Sequence, residues 1–167
     1  MFETNVDATY AWLGLALVSV ATAGVAATLP TSPPPDASGV AHTIDSVADG
    51  THPSTAEHGL AANRIRLTER SIALQSDGGT GTASLHGPKI TPVPAGRGSM
   101  GLNRTNGTDG LRRVLGGVPP SSAFDDPATF AAIAEQARDA DAAWRQAPER
   151  LTVRRVHYGG VHVTLVG

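Results

Sequence analysis

From Ala8 to Leu29 the chain carries no charged residue, and Pro30 closes the run just ahead of Pro33, Pro34 and Pro35. At ~1.5 Å of rise per helical residue such a stretch spans roughly 30 Å, the thickness of a bilayer's hydrocarbon core. Buried helices of soluble domains rarely run so long without a charge, so the segment reads as a transmembrane helix over residues 8–29. Residues 1–7 form a short acidic lead carrying Glu3 and Asp7. A cleaved signal peptide would place basic residues there, although Val25, Ala26 and Ala27 have the small side chains of a cleavage site. An uncleaved anchor fits better.

Two features of the span bear on what it could do. Tyr10 and Trp12 lie near its N-terminal boundary, where amphipathic rings favour the headgroup layer. Ser19, Ala23 and Ala27 recur every fourth residue and mark a candidate helix-packing face, since small side chains let helices approach closely. No Lys or Arg lies within reach of either end to set orientation. The expectation is a single pass with the C-terminal domain outside the cell.

Residues 30–39 read as a Pro-rich linker that holds the rest away from the bilayer. Residues 40–167 are then long enough for one small domain. With 19 Gly, 12 Pro and 4% aromatic residues, a loop-rich fold with a thin core is expected. There is no cysteine, which excludes disulfides and thiolate chemistry. All basic residues lie from Arg64 onward, but Arg64/Arg66/Arg70, Arg112/Arg113 and Arg154/Arg155 are dispersed. Nucleic-acid binding needs a denser basic stripe with interleaved aromatics and is not expected.

Along the domain, residues 40–47 suggest a first strand. Residues 63–75 alternate in two halves about Arg70, a strand with a bulge or turn. Asp77-Gly78-Gly79 then predicts a turn returning through Thr80–Leu85. Residues 86–122 look irregular, with one short helix at Leu111–Leu115. The clearest helix begins at Pro127, capped by Asp126, and runs to Gln146, with Phe130, Ile133, Ala134, Ala137 and Trp144 on one face. The end of the chain predicts a hairpin about Gly159-Gly160 that sets Tyr158 opposite Val161, Val156 opposite Val163, and His157 opposite His162. The expected fold class is α+β: antiparallel strands with one packing helix behind the membrane segment.

No catalytic signature emerges. Gly96-Arg97-Gly98-Ser99-Met100-Gly101 matches G-x-G-x-x-G, but Pro92 and Pro94 precede it and no helix is expected to follow. Zincin, nucleophile-elbow and phosphate-loop patterns do not occur. Asp125/Asp126 are explained by capping. His157 and His162 could begin a metal site but supply only two ligands. No catalytic, cofactor or metal residue is therefore assigned. Asn103-Arg104-Thr105 and Asn106-Gly107-Thr108 are adjacent N-x-[ST] sequons, making Asn103 and Asn106 candidate glycosylation sites.

Phe2-Glu3-Thr4-Asn5-Val6-Asp7-Ala8, the Trp12–Ala16 stretch and the Leu29–Ala37 proline segment, with Leu151–Val156 and Gly159–Gly167, resemble a haloarchaeal family of short membrane-anchored proteins of unknown function. That resemblance, similar more distantly to pilin-like or secretion-associated small proteins, implies a role in surface assembly. Glu3 or Asp7 would stand for the acidic residue that pilins keep near the start of their apolar helix; the basic pilin leader is lacking. The resulting expectation is a non-enzymatic cell-membrane protein without cofactor, partnered by the membrane and by itself or other small envelope proteins. The alternatives are an exported soluble binding module released by cleavage and, third, a metal-dependent hydrolase.

Overall fold

The computed structural model describes residues 5–28, 32–94 and 104–167, with side chains described over 10–22, 32–94 and 107–167. The described residues fall into two compact units divided between Pro33 and Pro34. The first holds α1 (Asn5–Thr28), 24 residues long. Its described side chains cover only residues 10–22, and among the described residues no helix is long and apolar enough to cross a membrane.

The second unit is mixed α+β, with two four-stranded sheets. It opens on α2 (Ala37–Ala48), where a strand is expected from residues 40–47. Ala37, Val40, Ala41, Ile44, Val47 and Ala48 are buried together, and that three-and-four spacing is helical. Asp36 caps the helix by accepting the Gly39 N–H at 2.9 Å, so the proline-rich stretch ends at Asp36 rather than Gly39. The β-branched Val40, Thr43, Ile44 and Val47 favour a strand locally; burial along one stripe overrides that preference.

β1 (Ser54–Gly59), β2 (Arg64–Leu67), β3 (Ser71–Ser76), β4 (Gly79–Ser84) and β5 (Ile90–Pro92) follow. The break expected near Arg70 is the β2–β3 turn, and the Asp77-Gly78 turn joins β3 to β4. Residues 86–122 are not irregular throughout. They contain β5, α3 (Arg104–Leu115) and the single-turn α4 (Pro120–Ala123). The α3 sequence looks like a loop because Gly107 and Gly110 lie within it. Both glycines face packing partners: a Cβ would meet Ile133 Cγ2 at 3.0 Å from Gly107 and Phe124 Cζ at 2.6 Å from Gly110. Close packing is what holds this poor helix former in shape.

α5 (Pro127–Arg138) starts as expected, with Asp126 Oδ1 accepting from Thr129 N at 2.8 Å. It stops at Arg138, eight residues before Gln146, where the Asp139 N–H still reaches Glu135 O. Phe130 and Ala134 are buried and Ile133 and Ala137 pack beside them. Trp144 is not on this helix; it lies ahead of β6 (Arg145–Gln146), with Arg64 and Arg66 guanidinium groups 5.7 and 5.2 Å from its ring centre. β7 (Arg150–Tyr158) and β8 (Val161–Val166) form the terminal hairpin in the expected register. Gly159 and Gly160 supply the positive φ angles, 55° and 83°, of its two-residue turn.

The first sheet runs β1-β7-β8-β5 and the second β4-β3-β2-β6. All pairs are antiparallel except β5 with β8, which is parallel. The first sheet is covered on both faces. On one side Leu151, Val153 and Val166 join α2 and the second sheet's Ile65, Leu67, Ile72 and Leu74. On the other, Val156, Val163 and Leu165 meet Leu111, Val114, Phe124 and Phe130. More than one helix therefore packs on the sheets, because a central sheet buried on both faces needs a cover on each.

Candidate functional site

The largest unsatisfied apolar surface of the described residues belongs to α1. Among the described residues Tyr10, Trp12, Leu13, Leu15, Leu17, Val18 and Val20 are the exposed large hydrophobics, each between 56% and 72% exposed. They run around the helix rather than along a stripe, which is the pattern of a helix with apolar surroundings on every side. Ser19 Oγ donates to Leu15 O and Thr22 Oγ1 to Val18 O, each at 2.8 Å, so both hydroxyls are satisfied within the helix. Of the candidate packing face, Ser19 is exposed, while the side chains of Ala23 and Ala27 lie outside those described.

In the second unit, the hairpin brings His157 and His162 opposite each other with ring centres 4.1 Å apart and planes at 87°. Arg155 Nε donates to His157 Nε2 at 3.3 Å, which occupies one of the two ring nitrogens that could bind a metal. Burial, followed by the neighbouring His162 and Arg155, pushes the His157 pKa down. Arg155 also bonds through Nη1 to Ala48 O, placing its charge at the C-terminus of α2. Among the described residues no group of three or more His, Asp or Glu could hold a metal ion.

Asp125 and Asp126 are not a carboxylate pair for acid–base work: Asp126 is held by Thr129, whose hydrogen bonds lower its pKa. The glycine pattern 96–101 and Asn103 lie outside the described residues. Asn106 falls in the first turn of α3 rather than in a loop, with its side chain outside those described.

Two features had no sequence signal. A hollow of about 340 Å³ lies between α2 and β4, lined by Ser38, His42, Asp45, Thr82, Ser84 and His86 among others. The Asp45 carboxylate accepts from His86 N at 3.2 Å and Gly87 N at 3.2 Å, a pairing across 41 residues that no local pattern announces. Arg145 lines a second hollow of about 240 Å³ beside Leu67, Pro92, Pro94 and Ala137. Its Nη1 donates to Val93 O at 3.0 Å, its buried Nε has no partner, and burial lowers its pKa. Neither hollow assembles a nucleophile, a base and an orienting group in hydrogen-bond reach.

A family profile described as "Family of unknown function (DUF7283)" matches residues 3–156. The chain belongs to that family. No curated protein and no solved structure gives a significant match. The DUF7283 match takes in α1, the proline-rich segment and the α+β unit as far as Val156 in β7. The match therefore covers the apolar helix as well as the α+β unit.

Proposed function

We propose that this DUF7283 protein is a non-enzymatic, membrane-anchored protein of the cell envelope, with α1 as its anchor and its α+β unit outside. The observation that carries the reading is the ring of exposed apolar side chains on α1. Burying a side chain of this size is worth about 1.5–3 kcal/mol, so leaving seven of them in water is costly. A bilayer removes that cost on every face of the helix at once. What argues for the span is the sequence: the uncharged run from Ala8 to Leu29, at ~1.5 Å per helical residue, supplies roughly the 30 Å of a hydrocarbon core. Its internally bonded Ser19 and Thr22 hydroxyls suit a medium without water.

The role that follows is structural or accessory: a subunit of a pilus-like or secretion assembly, with lateral contacts in the membrane through the Ser19, Ala23 and Ala27 face. Crosslinking in native membranes tests it and is expected to trap oligomers or one discrete partner; a freely monomeric protein refutes it. Sidedness has its own test, because the chain has no cysteine and exposed Ser46 can be replaced cleanly. In intact cells S46C is expected to react with a membrane-impermeant maleimide. Reaction only after lysis would place the unit inside.

A further inference from the structure

Arg145 carries a charge that its surroundings do not answer. Its Nη1 donates to Val93 O at 3.0 Å, its Nε is buried without a partner, and none of the ion pairs among the described residues involves it. Most of the N–H donors of this partly buried guanidinium are therefore unused. Arg138, nearby at the end of α5, shows the ordinary arrangement: Glu135 meets its charge and Thr91 Oγ1 accepts from its Nε at 2.9 Å. A charge withdrawn from water without a counter-charge is costly, so the exception calls for an explanation. Residues 95–103, which follow Pro94 in the chain, contain no Asp or Glu that could supply the missing partner.

Arg145 borders the hollow of about 240 Å³, held there by β6, where it pairs with Ile65 of β2. Apart from Arg145 and Asp141, every side chain lining the hollow is apolar, including Leu67, Pro92, Pro94 and Ala137. Asp141 is exposed and makes no ion pair among the described residues. We propose that this hollow binds a small molecule bearing one carboxylate on an apolar body. The carboxylate pairs with Arg145 and the body lies against Leu67, Pro92, Pro94 and Ala137.

The charge balance selects this class. A single guanidinium answers a single carboxylate, and its planar fork of donors matches that group. A phosphate would bring a second negative charge with no cation to meet it, and Asp141 on the rim would repel it further. A neutral apolar ligand would leave the guanidinium uncompensated. Size agrees as well. An apolar cavity of about 150 Å³ takes up benzene, so about 240 Å³ has room for a ring and its carboxylate. With no nucleophile or base beside it, the site binds without catalysing. It lies wholly in the α+β unit, so it stands or falls independently of where α1 resides.

Fluorine NMR of para-fluorobenzoate added to purified full-length protein in mild detergent tests the site. The line is expected to broaden saturably with added protein. Para-fluorobenzamide, the same shape without the charge, is expected to bind at least tenfold more weakly, the loss of one charge-assisted pairing. Acetate, a carboxylate without the apolar body, should also compete at least tenfold more weakly. R145Q is expected to lower para-fluorobenzoate affinity at least tenfold, while D141N, which removes the rim charge, raises it at least twofold. The amide and acetate comparisons use the unaltered protein, so they decide the matter even if R145Q does not fold. Absence of saturable binding, an amide or acetate that binds as well as para-fluorobenzoate, a folded R145Q protein of unchanged affinity, or D141N that fails to strengthen binding would each overturn the proposal.

Discussion

Two adjacent glycines at the tip of the terminal hairpin differ in one contact, and that contact sets how strongly each resists substitution. Gly159 and Gly160 both have left-handed φ angles, 55° and 83°. An alanine at either position incurs about 1–2 kcal/mol for placing a Cβ in that region. At Gly160 nothing lies within 4 Å of the added atom, so the cost stops there. At Gly159 the Cβ would lie 2.2 Å from Pro127 Cγ and 2.9 Å from Pro127 Cβ. Pro127 is the first residue of α5 and a rigid ring, so the turn or the helix must shift, at a further cost of about 1–3 kcal/mol. Gly159→Ala is thus expected to destabilise by about 2 kcal/mol more than Gly160→Ala. With an m-value of about 2 kcal/mol/M, the urea midpoints separate by about 1 M. Equilibrium unfolding followed through Trp144 in a Trp12→Phe background reads this directly. Pro127→Ala should recover part of the loss in the Gly159→Ala protein, a coupling of more than about 0.5 kcal/mol. Equal midpoints for the two alanine variants would refute the docking of the hairpin tip on α5.

Phe130 is fully buried, with ring centres 5.1 Å from Phe124 and 6.3 Å from Tyr158, so Phe130→Ala should cost about 3–5 kcal/mol in the same unfolding assay. Asp126 is held below the ordinary carboxylate range by Thr129, so its contribution is complete above that range and fades as pH falls through its folded value. Asp126→Ser, a cap that does not titrate, should flatten the acid limb of a stability–pH profile. For His157 the depressed imidazole means the unfolded chain binds the proton more readily. Stability is then complete above the ordinary imidazole value of about 6.5 and declines as pH falls through it towards the folded value. NMR titration should find His157 below that value, and His162→Gln should raise it by removing a like charge.

The parts of the fold legible in the sequence are those specified by neighbouring residues. The β7–β8 register follows from Gly159-Gly160 together with the flanking alternation, and the start of α5 from Asp126-Pro127. What was illegible depends on distant partners. α2 looks like a strand until the second sheet gives its Val40/Ile44/Val47 stripe something to face. α3 looks like a loop until Gly107 meets Ile133 and Gly110 meets Phe124. β1 has almost no apolar alternation, and its partner β7 lies some 90 residues on, with Ala56 opposite Val153. The candidate anchor was visible as composition, since an uncharged run needs no tertiary partner to be read. The Asp45–His86 contact and the buried guanidinium of Arg145 are products of folding and carry no local mark.

The account rests most heavily on α1 being a retained membrane anchor. Alkaline carbonate extraction of cells making the full chain, with the N-terminal sequence read from the recovered protein, tests that claim most directly. Protein in the membrane pellet with residues 1–28 retained is the predicted result. Recovery in the carbonate-soluble fraction, or a mature protein beginning beyond Ala27, would contradict it.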